Sequence, residues 1–317
     1  MNRLSGSYGS PFRGVGISEV SHRPSMWARW YGPMAERIRK WAADDPNVRA
    51  VMIIGSQART NVPADEWSDL DVVIFHADPA RLIASTEWFE PFGSVVLSMV
   101  EPTAILGSRE RRVLYSDGRD VDFAIFPSDA IPFIGGSPEG MGVLGRGFVV
   151  LVDKDQQLAK LSSLAATPMT ATSQLPTENQ FRACVADFWY HFLWFAKKLR
   201  RGEAWMAKLG CDGYLKQLLA QVIEWNTIAR HDKNADVWHD GRFLDRWADP
   251  AIRARLPATF SRYDPSDLAR ALGETGRLFS ELAHQVAESS QWSYPADVEK
   301  AVQKLTENTL KGLPGST

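Results

Sequence analysis

The sequence has little of what several special classes of protein require. Two cysteines in 317 residues are too few for a disulfide framework, and a formal charge of −2 lacks the basic excess of a general nucleic-acid binder. No stretch approaches the roughly 20 apolar residues that span a bilayer, and residues 1–10 lack the apolar core of a signal peptide. We therefore expect a cytoplasmic protein that binds neither nucleic acid nor membrane.

Apolar periodicity divides the chain into two parts. In the first part, β-branched runs bounded by turn residues predict strands, and helical spacing from Ser25 to about Asp44 predicts one or two helices. The strands are predicted over 48–54, 69–75, 95–99, 113–115, 121–126 and 148–152. Beyond residue 156, long segments of helical period predict helices over 179–201, 213–230, 265–288 and 295–311. The pattern indicates an α+β protein with a loose extension (1–24), a mixed β-sheet domain with flanking helices (25–155) and an all-helical bundle domain (156–317).

A Gly-Ser pair followed by two aspartates is the strongest chemical signal. Gly55 and Ser56 come directly after a predicted strand, where glycine admits a ligand close to the backbone and free N–H groups suit a phosphate. Asp69 and Asp71 are two apart on the next predicted strand, so both carboxylates point to one face. At ~4 Å and an effective dielectric near 20 their repulsion is about 4 kcal/mol, which a hard divalent cation such as Mg²⁺ turns into attraction.

Metal-assisted chemistry on a phosphate group also needs a third carboxylate and a proton acceptor. Asp120 and Asp122 share one face of a further predicted strand, and both are candidates for the third ligand. The helix predicted over 179–201 carries Asp187 and His191 on a flank among aromatic residues, and either group can accept a proton. The apolar face beside that flank consists of Phe181, Val185, Phe188, Phe192, Phe195 and Leu199.

The Gly-Ser and Asp-x-Asp pattern resembles the nucleotidyltransferase superfamily of the DNA polymerase β type. Further segments resemble the aminoglycoside 6-adenylyltransferase (streptomycin adenylyltransferase) family, and together they cover roughly Trp27 to Lys311. These segments include Asp65-Glu66-Trp67, Glu87-Trp88-Phe89, Val121-Asp122-Phe123, Asp187-Phe188-Trp189, Ile223-Glu224-Trp225, Gly241-Arg242-Phe243 and Tyr294-Pro295.

This resemblance implies transfer of AMP from ATP to a hydroxyl of a small molecule, a streptomycin-like aminoglycoside, with inactivation of the antibiotic as the outcome. It implies two Mg²⁺ ions, with Asp122 chosen over Asp120 as the third ligand beside Asp69 and Asp71, and Asp187 as the base. The nucleotide is expected at Gly55, Ser56, Arg59 and Arg242. The family usually has arginine directly after Gly-Ser, whereas this chain has Gln57.

Two other functions are consistent with the same residues. One is the same chemistry on a lincosamide, another metabolite or a protein side chain. The other is a nucleotide-binding, antitoxin-like regulator without turnover. The complete set of Asp69, Asp71 and Asp122 argues against the regulator, because an inactive descendant has no reason to keep three carboxylates that repel each other.

Overall fold

The computed structural model describes residues 29–59, 64–103, 107–158, 161, 175–230, 235–237 and 241–313. The chain divides into two units, Met1–Thr170 and Ala171–Thr317. The extension expected over 1–24 lies outside the described residues, and the domain boundary expected near residue 155 stays a prediction. In the described ranges, every helix is too short or too polar to cross a bilayer.

The first unit is built on a six-stranded mixed sheet. In chain order its strands are β1 (Val48–Ile54), β2 (Leu70–His76), β3 (Val95–Pro102), β4 (Arg109–Tyr115), β5 (Asp120–Pro127) and β6 (Val149–Asp153). Across the sheet they lie in the order β3-β4-β5-β2-β1-β6. Only the β2–β5 pair is parallel among these described strands, and it places Asp71 directly beside Asp122.

Helices cover both faces of this sheet. They are α1 (Gly32–Asp44), α2 (Pro79–Ala84), α3 (Ile131–Gly136) and α4 (Pro138–Leu144). Alternate residues of β1 and β2 point to opposite faces. Val51 and Val72 therefore belong to the core around α1, whereas Met52 and Val73 belong to the core around α3 and α4. Because both faces are buried, β1, β2 and β5 contain apolar runs, at 50–54, 72–75 and 123–126.

The second unit consists of helices among its described residues. They are α5 (Glu178–Arg200), α6 (Ala204–Leu209), α7 (Leu215–Arg230), α8 (Leu244–Trp247), α9 (Pro250–Thr259), α10 (Pro265–Ser290) and α11 (Ala296–Leu310). A capping box between Thr177 and Gln180 starts α5. The predicted apolar face of α5 is buried, and Phe188 stacks on Phe279 of α10 with ring centroids 3.6 Å apart. A π-helical turn, Gly210–Tyr214, joins α6 to α7.

The α+β prediction is confirmed, with two kinds of difference in detail. β2 begins at Leu70, so Asp69 lies just before the strand rather than on it. β3 and β4 are longer than predicted. Charged residues such as Glu101 and Arg112 interrupt the apolar alternation, so the sequence pattern marks only part of each strand. The helices α2, α3, α4, α6, α8 and α9 were not predicted, since elements of four to ten residues show too little of the helical period.

Candidate active site

Three carboxylates converge where β2 and β5 begin. Asp71 and Asp122 are neighbours in the parallel register, and Asp69 precedes β2 by one residue. One oxygen from each side chain lies within 4.8 Å of the others, and all three residues are half-buried. Asp120, the other candidate from the sequence, is exposed at the first position of β5. The parallel β2–β5 pair thus brings together the three residues that the resemblance selected.

The chemistry of these donors suits a hard divalent cation. Carboxylate oxygens are the ligands that Mg²⁺ prefers. The site already attracts one cation, because Arg112 Nη2 of β4 lies 3.3 Å from Asp122 Oδ2. The same guanidinium is 2.8 Å from Glu101 Oε1 and 2.9 Å from Glu110 Oε1. The sheet face beside the three aspartates is therefore strongly acidic, with a single arginine bridging three carboxylates.

Burial dominates the electrostatics of Asp122. The pKa of Asp122 is raised to about 6, mainly because burial removes water from around the carboxyl. Arg112 lowers this pKa, whereas Glu110, Asp69 and Asp120 contribute to raising it. The positive charge of Arg112 does not offset the effect of burial on this carboxyl. A bound divalent cation would supply further positive charge.

The turn after β1 packs directly against the carboxylates. Gly55 has φ +68°, and a Cβ atom built on it would overlap Asp71 Oδ2. Glycine is therefore required at this position for two reasons: the backbone is left-handed, and the Asp71 carboxylate lies where a Cβ atom would be. The next residue, Ser56, is 3% exposed, and its Oγ has no hydrogen-bond partner within the described part of the chain.

Gln57 and Arg59 are both buried behind this turn. Gln57 Nε2 donates hydrogen bonds to the carbonyl oxygens of Ser68 (3.3 Å) and Asp69 (3.1 Å). Arg59 is 8% exposed, and its backbone N–H donates to the Gly55 carbonyl at 3.2 Å. Reasoning from the sequence missed the contacts of Gln57 and Arg112, because both depend on which segments lie side by side in the folded sheet.

Asp187 belongs to a hydrogen-bonded cluster within the second unit. The Tyr214 hydroxyl lies 2.9 and 2.8 Å from the two carboxylate oxygens of Asp187, and His191 Nδ1 is 2.6 Å from Oδ1. His191 is one turn along α5, at the i+4 spacing that brings side chains together. The hydrogen bond to Asp187 raises the pKa of Tyr214. The π-helical turn that contributes Tyr214 gave no sequence signal.

Arg242 lies in the same unit, outside its helices. The side chain is exposed, with the guanidinium carbon 5.3 Å from the ring centre of Phe243. The Arg242 carbonyl accepts a hydrogen bond from Trp247 Nε1 at 2.9 Å. These contacts fix the backbone of the residue and leave the guanidinium on the surface.

Comparison with known proteins adds independent information. Residues 29–309 match the model of a family described as streptomycin adenylyltransferase. Proteins named aminoglycoside 6-adenylyltransferase are similar along most of their length. The one from Campylobacter jejuni is 22% identical over 83% of this chain and 90% of its own. The one from Bacillus subtilis (strain 168) is 22% identical over 84% and 93%.

A crystal structure of an aminoglycoside 6-adenyltransferase from Bacillus subtilis aligns with 88% of this chain and 98% of its own, at 19% identity and a TM-score of 0.41. The family match spans nearly the whole described sequence and includes Gly55, all three aspartates and Asp187. The chain belongs to the streptomycin adenylyltransferase family.

Proposed function

We propose that this protein transfers AMP from ATP to a hydroxyl of a streptomycin-like aminoglycoside. Two findings support the acceptor class: the family that the chain belongs to, and relatives whose names specify aminoglycosides. The observation that carries the chemistry is the convergence of Asp69, Asp71 and Asp122 beside a glycine turn. The product would be an adenylylated, inactive antibiotic. We also propose that the protein acts in the cytoplasm, because the reaction consumes ATP.

Asp69, Asp71 and Asp122 would hold Mg²⁺, two ions in the proposed mechanism. When bound, Mg²⁺ would neutralise the triphosphate and make the α-phosphorus more electrophilic. Gly55 would admit the nucleotide close to the backbone, and Ser56 has a buried hydroxyl without a partner in the described residues that can donate to a phosphate oxygen. Arg59 and Arg242 remain the proposed sources of further positive charge.

Asp187 is the proposed base, with His191 as the alternative. The carboxylate is half-exposed and oriented by the Tyr214 hydroxyl, whereas the imidazole uses Nδ1 toward Asp187. Small-molecule rescue separates the two. If Asp187 is the base, formate restores part of the activity of Asp187→Ala and imidazole does not restore His191→Ala. Rescue of His191→Ala by imidazole alone would assign the base to His191.

Mass spectrometry of streptomycin incubated with the protein, ATP and Mg²⁺ tests the proposed reaction. We expect a mass gain of one adenylyl unit and release of pyrophosphate. Asp71→Asn is the matched control, because it keeps the size of the side chain and removes its charge. Pyrophosphate release with other acceptors but not with streptomycin would reassign the acceptor. ATP binding without pyrophosphate release, whatever the acceptor, would contradict the proposal.

A further inference from the structure

Asp69 differs from the other two carboxylates in how its backbone is held. Asp71 and Asp122 are strand residues that pair with each other in the parallel register of β2 and β5. Asp69 precedes β2 and lies outside the paired residues of the ladder. A metal ligand needs a defined direction of its Cα–Cβ bond, and that direction is set by the two peptide planes on either side of Cα.

Gln57 contacts both of these peptide planes. Its Nε2 donates to the Ser68 carbonyl at 3.3 Å and to the Asp69 carbonyl at 3.1 Å. The first carbonyl belongs to the peptide unit before the Cα of Asp69, and the second to the unit after it. One amide group with two N–H donors therefore restrains the backbone of Asp69 from both sides.

The buried side chain of Gln57 is held by its donors rather than by its acceptor. The residue is 2% exposed, yet its Oε1 has no hydrogen-bond partner among the described residues. An unpaired buried acceptor is unfavourable. Rotation of the amide would bring Oε1 against the two carbonyl oxygens, so the observed orientation is the one that the contacts allow. The neutral amide also adds no charge beside the aspartates.

We propose that Gln57 is a positioning residue, which orients the metal ligand Asp69 by hydrogen bonding to the carbonyls on both sides of it. This inference rests on the proposed function, in which Asp69, Asp71 and Asp122 bind a divalent cation. It assigns a role to the residue at which this chain departs from the arginine usual in the family.

Calorimetric titration of the full-length, metal-free protein with Mn²⁺, without nucleotide, tests the inference. Gln57→Met keeps an unbranched side chain of similar length and removes both donors. We expect its Mn²⁺ affinity to fall roughly 10-fold, the lower end of what loss of a group that orients a metal ligand costs. Gln57→Asn withdraws the amide by one methylene and should show a smaller loss in the same direction. It serves in place of Gln57→Met if the latter does not fold.

A double-mutant cycle distinguishes positioning from general destabilisation. If Gln57 acts through Asp69, Gln57→Met has no further effect on Mn²⁺ affinity in an Asp69→Asn background. Tyr115→Phe is the control, because it removes another buried hydrogen bond to a carbonyl in the same unit, that of Phe89 at 3.1 Å. Its Mn²⁺ affinity should equal that of the parent.

The outcomes distinguish failure of the positioning role from failure of the metal site. Parent-like Mn²⁺ affinity in Gln57→Met, or an equal loss with and without Asp69→Asn, would overturn the positioning role. In either case, weaker Mn²⁺ binding by Asp69→Asn than by the parent would still support the proposed metal site. If Asp69→Asn and Asp71→Asn both bind Mn²⁺ like the parent, the metal site itself is wrong and the role of Gln57 falls with it.

Discussion

Arg112 should weaken binding of a divalent cation, and its removal should strengthen it. The guanidinium lies 3.3 Å from Asp122 Oδ2 and therefore competes with a metal ion for that carboxylate. Arg112→Gln removes the positive charge and leaves Glu101 and Glu110 without their shared partner. Both changes make the surroundings of the three aspartates more negative. The expected outcome is tighter metal binding, the opposite of what loss of a ligand would cause.

The distance and the exposure of Arg112 set the size of this effect. Two unit charges 3.3 Å apart interact with about 1.3 kcal/mol in water and about 5 kcal/mol at an effective dielectric near 20. The Arg112 side chain is 48% exposed, so the lower figure applies. We therefore expect Mn²⁺ to bind the variant about five to ten times more tightly.

Calorimetric titration with Mn²⁺ at pH 8 measures this change. That pH lies above the raised pKa of Asp122, about 6, so the proton does not compete with the metal. The gain should shrink in high salt, because the interaction is between partly exposed charges. Arg49→Gln is the control, since Arg49 pairs with Asp155 on the same unit and contacts none of the three aspartates. Unchanged or weaker binding by Arg112→Gln would refute the reasoning.

Three further predictions concern the two units. Gly55→Ala should lose Mn²⁺ binding in a calorimetric titration, because its Cβ would displace the Asp71 carboxylate. The control is Gly118→Ala, where φ is +85° and the space around the residue is open. This variant should keep Mn²⁺ binding and lose about 1–2 kcal/mol of stability in thermal melting. Gly276→Ala should lower the free energy of unfolding by about 1–3 kcal/mol, because its Cβ would lie 2.6 Å from Phe192 Cε2. The matched Gly273→Ala, which meets only the Arg277 guanidinium at 3.7 Å, should raise that free energy by up to about 1 kcal/mol, and opposite signs in denaturant melts are the check. At pH 8 the native protein should not react with a thiol reagent such as dithionitrobenzoate, because Cys184 and Cys211 are buried and burial raises the pKa of Cys184 to about 12. Both thiols should react in denaturant, and fast labelling of the folded protein would contradict their burial.

Local sequence pattern predicted the parts of the fold that are locally determined. β1 has the predicted bounds, Val48–Ile54, because an apolar run there lies between Asp-Pro and glycine. α10 begins at the predicted Pro265, where Asp264 caps the first turn. β3 and β4, on one side of the sheet, were predicted less well, since their charged residues hide the alternation that marks a strand.

The residues of the candidate site also differ in how far the sequence could identify them. Asp69 and Asp71 were identifiable from their spacing, and Asp122 from its resemblance to a known motif. The contact of Arg112 with Asp122 depends on the antiparallel register of β4 on β5, which no local pattern fixes. The hydrogen bonds from Gln57 reach carbonyl groups eleven and twelve residues further along the chain. Such contacts follow from tertiary packing, so the residues that tune and position the carboxylates emerged only from the structure.

Anomalous diffraction from a crystal grown with Mn²⁺ and a non-hydrolysable ATP analogue tests the central claim most directly. A manganese peak should lie within about 2–2.3 Å of oxygens from Asp69, Asp71 and Asp122, with the analogue's phosphates beside Gly55 and Ser56. A nucleotide bound with its metal elsewhere, or a peak that none of these three side chains contacts, would contradict the account.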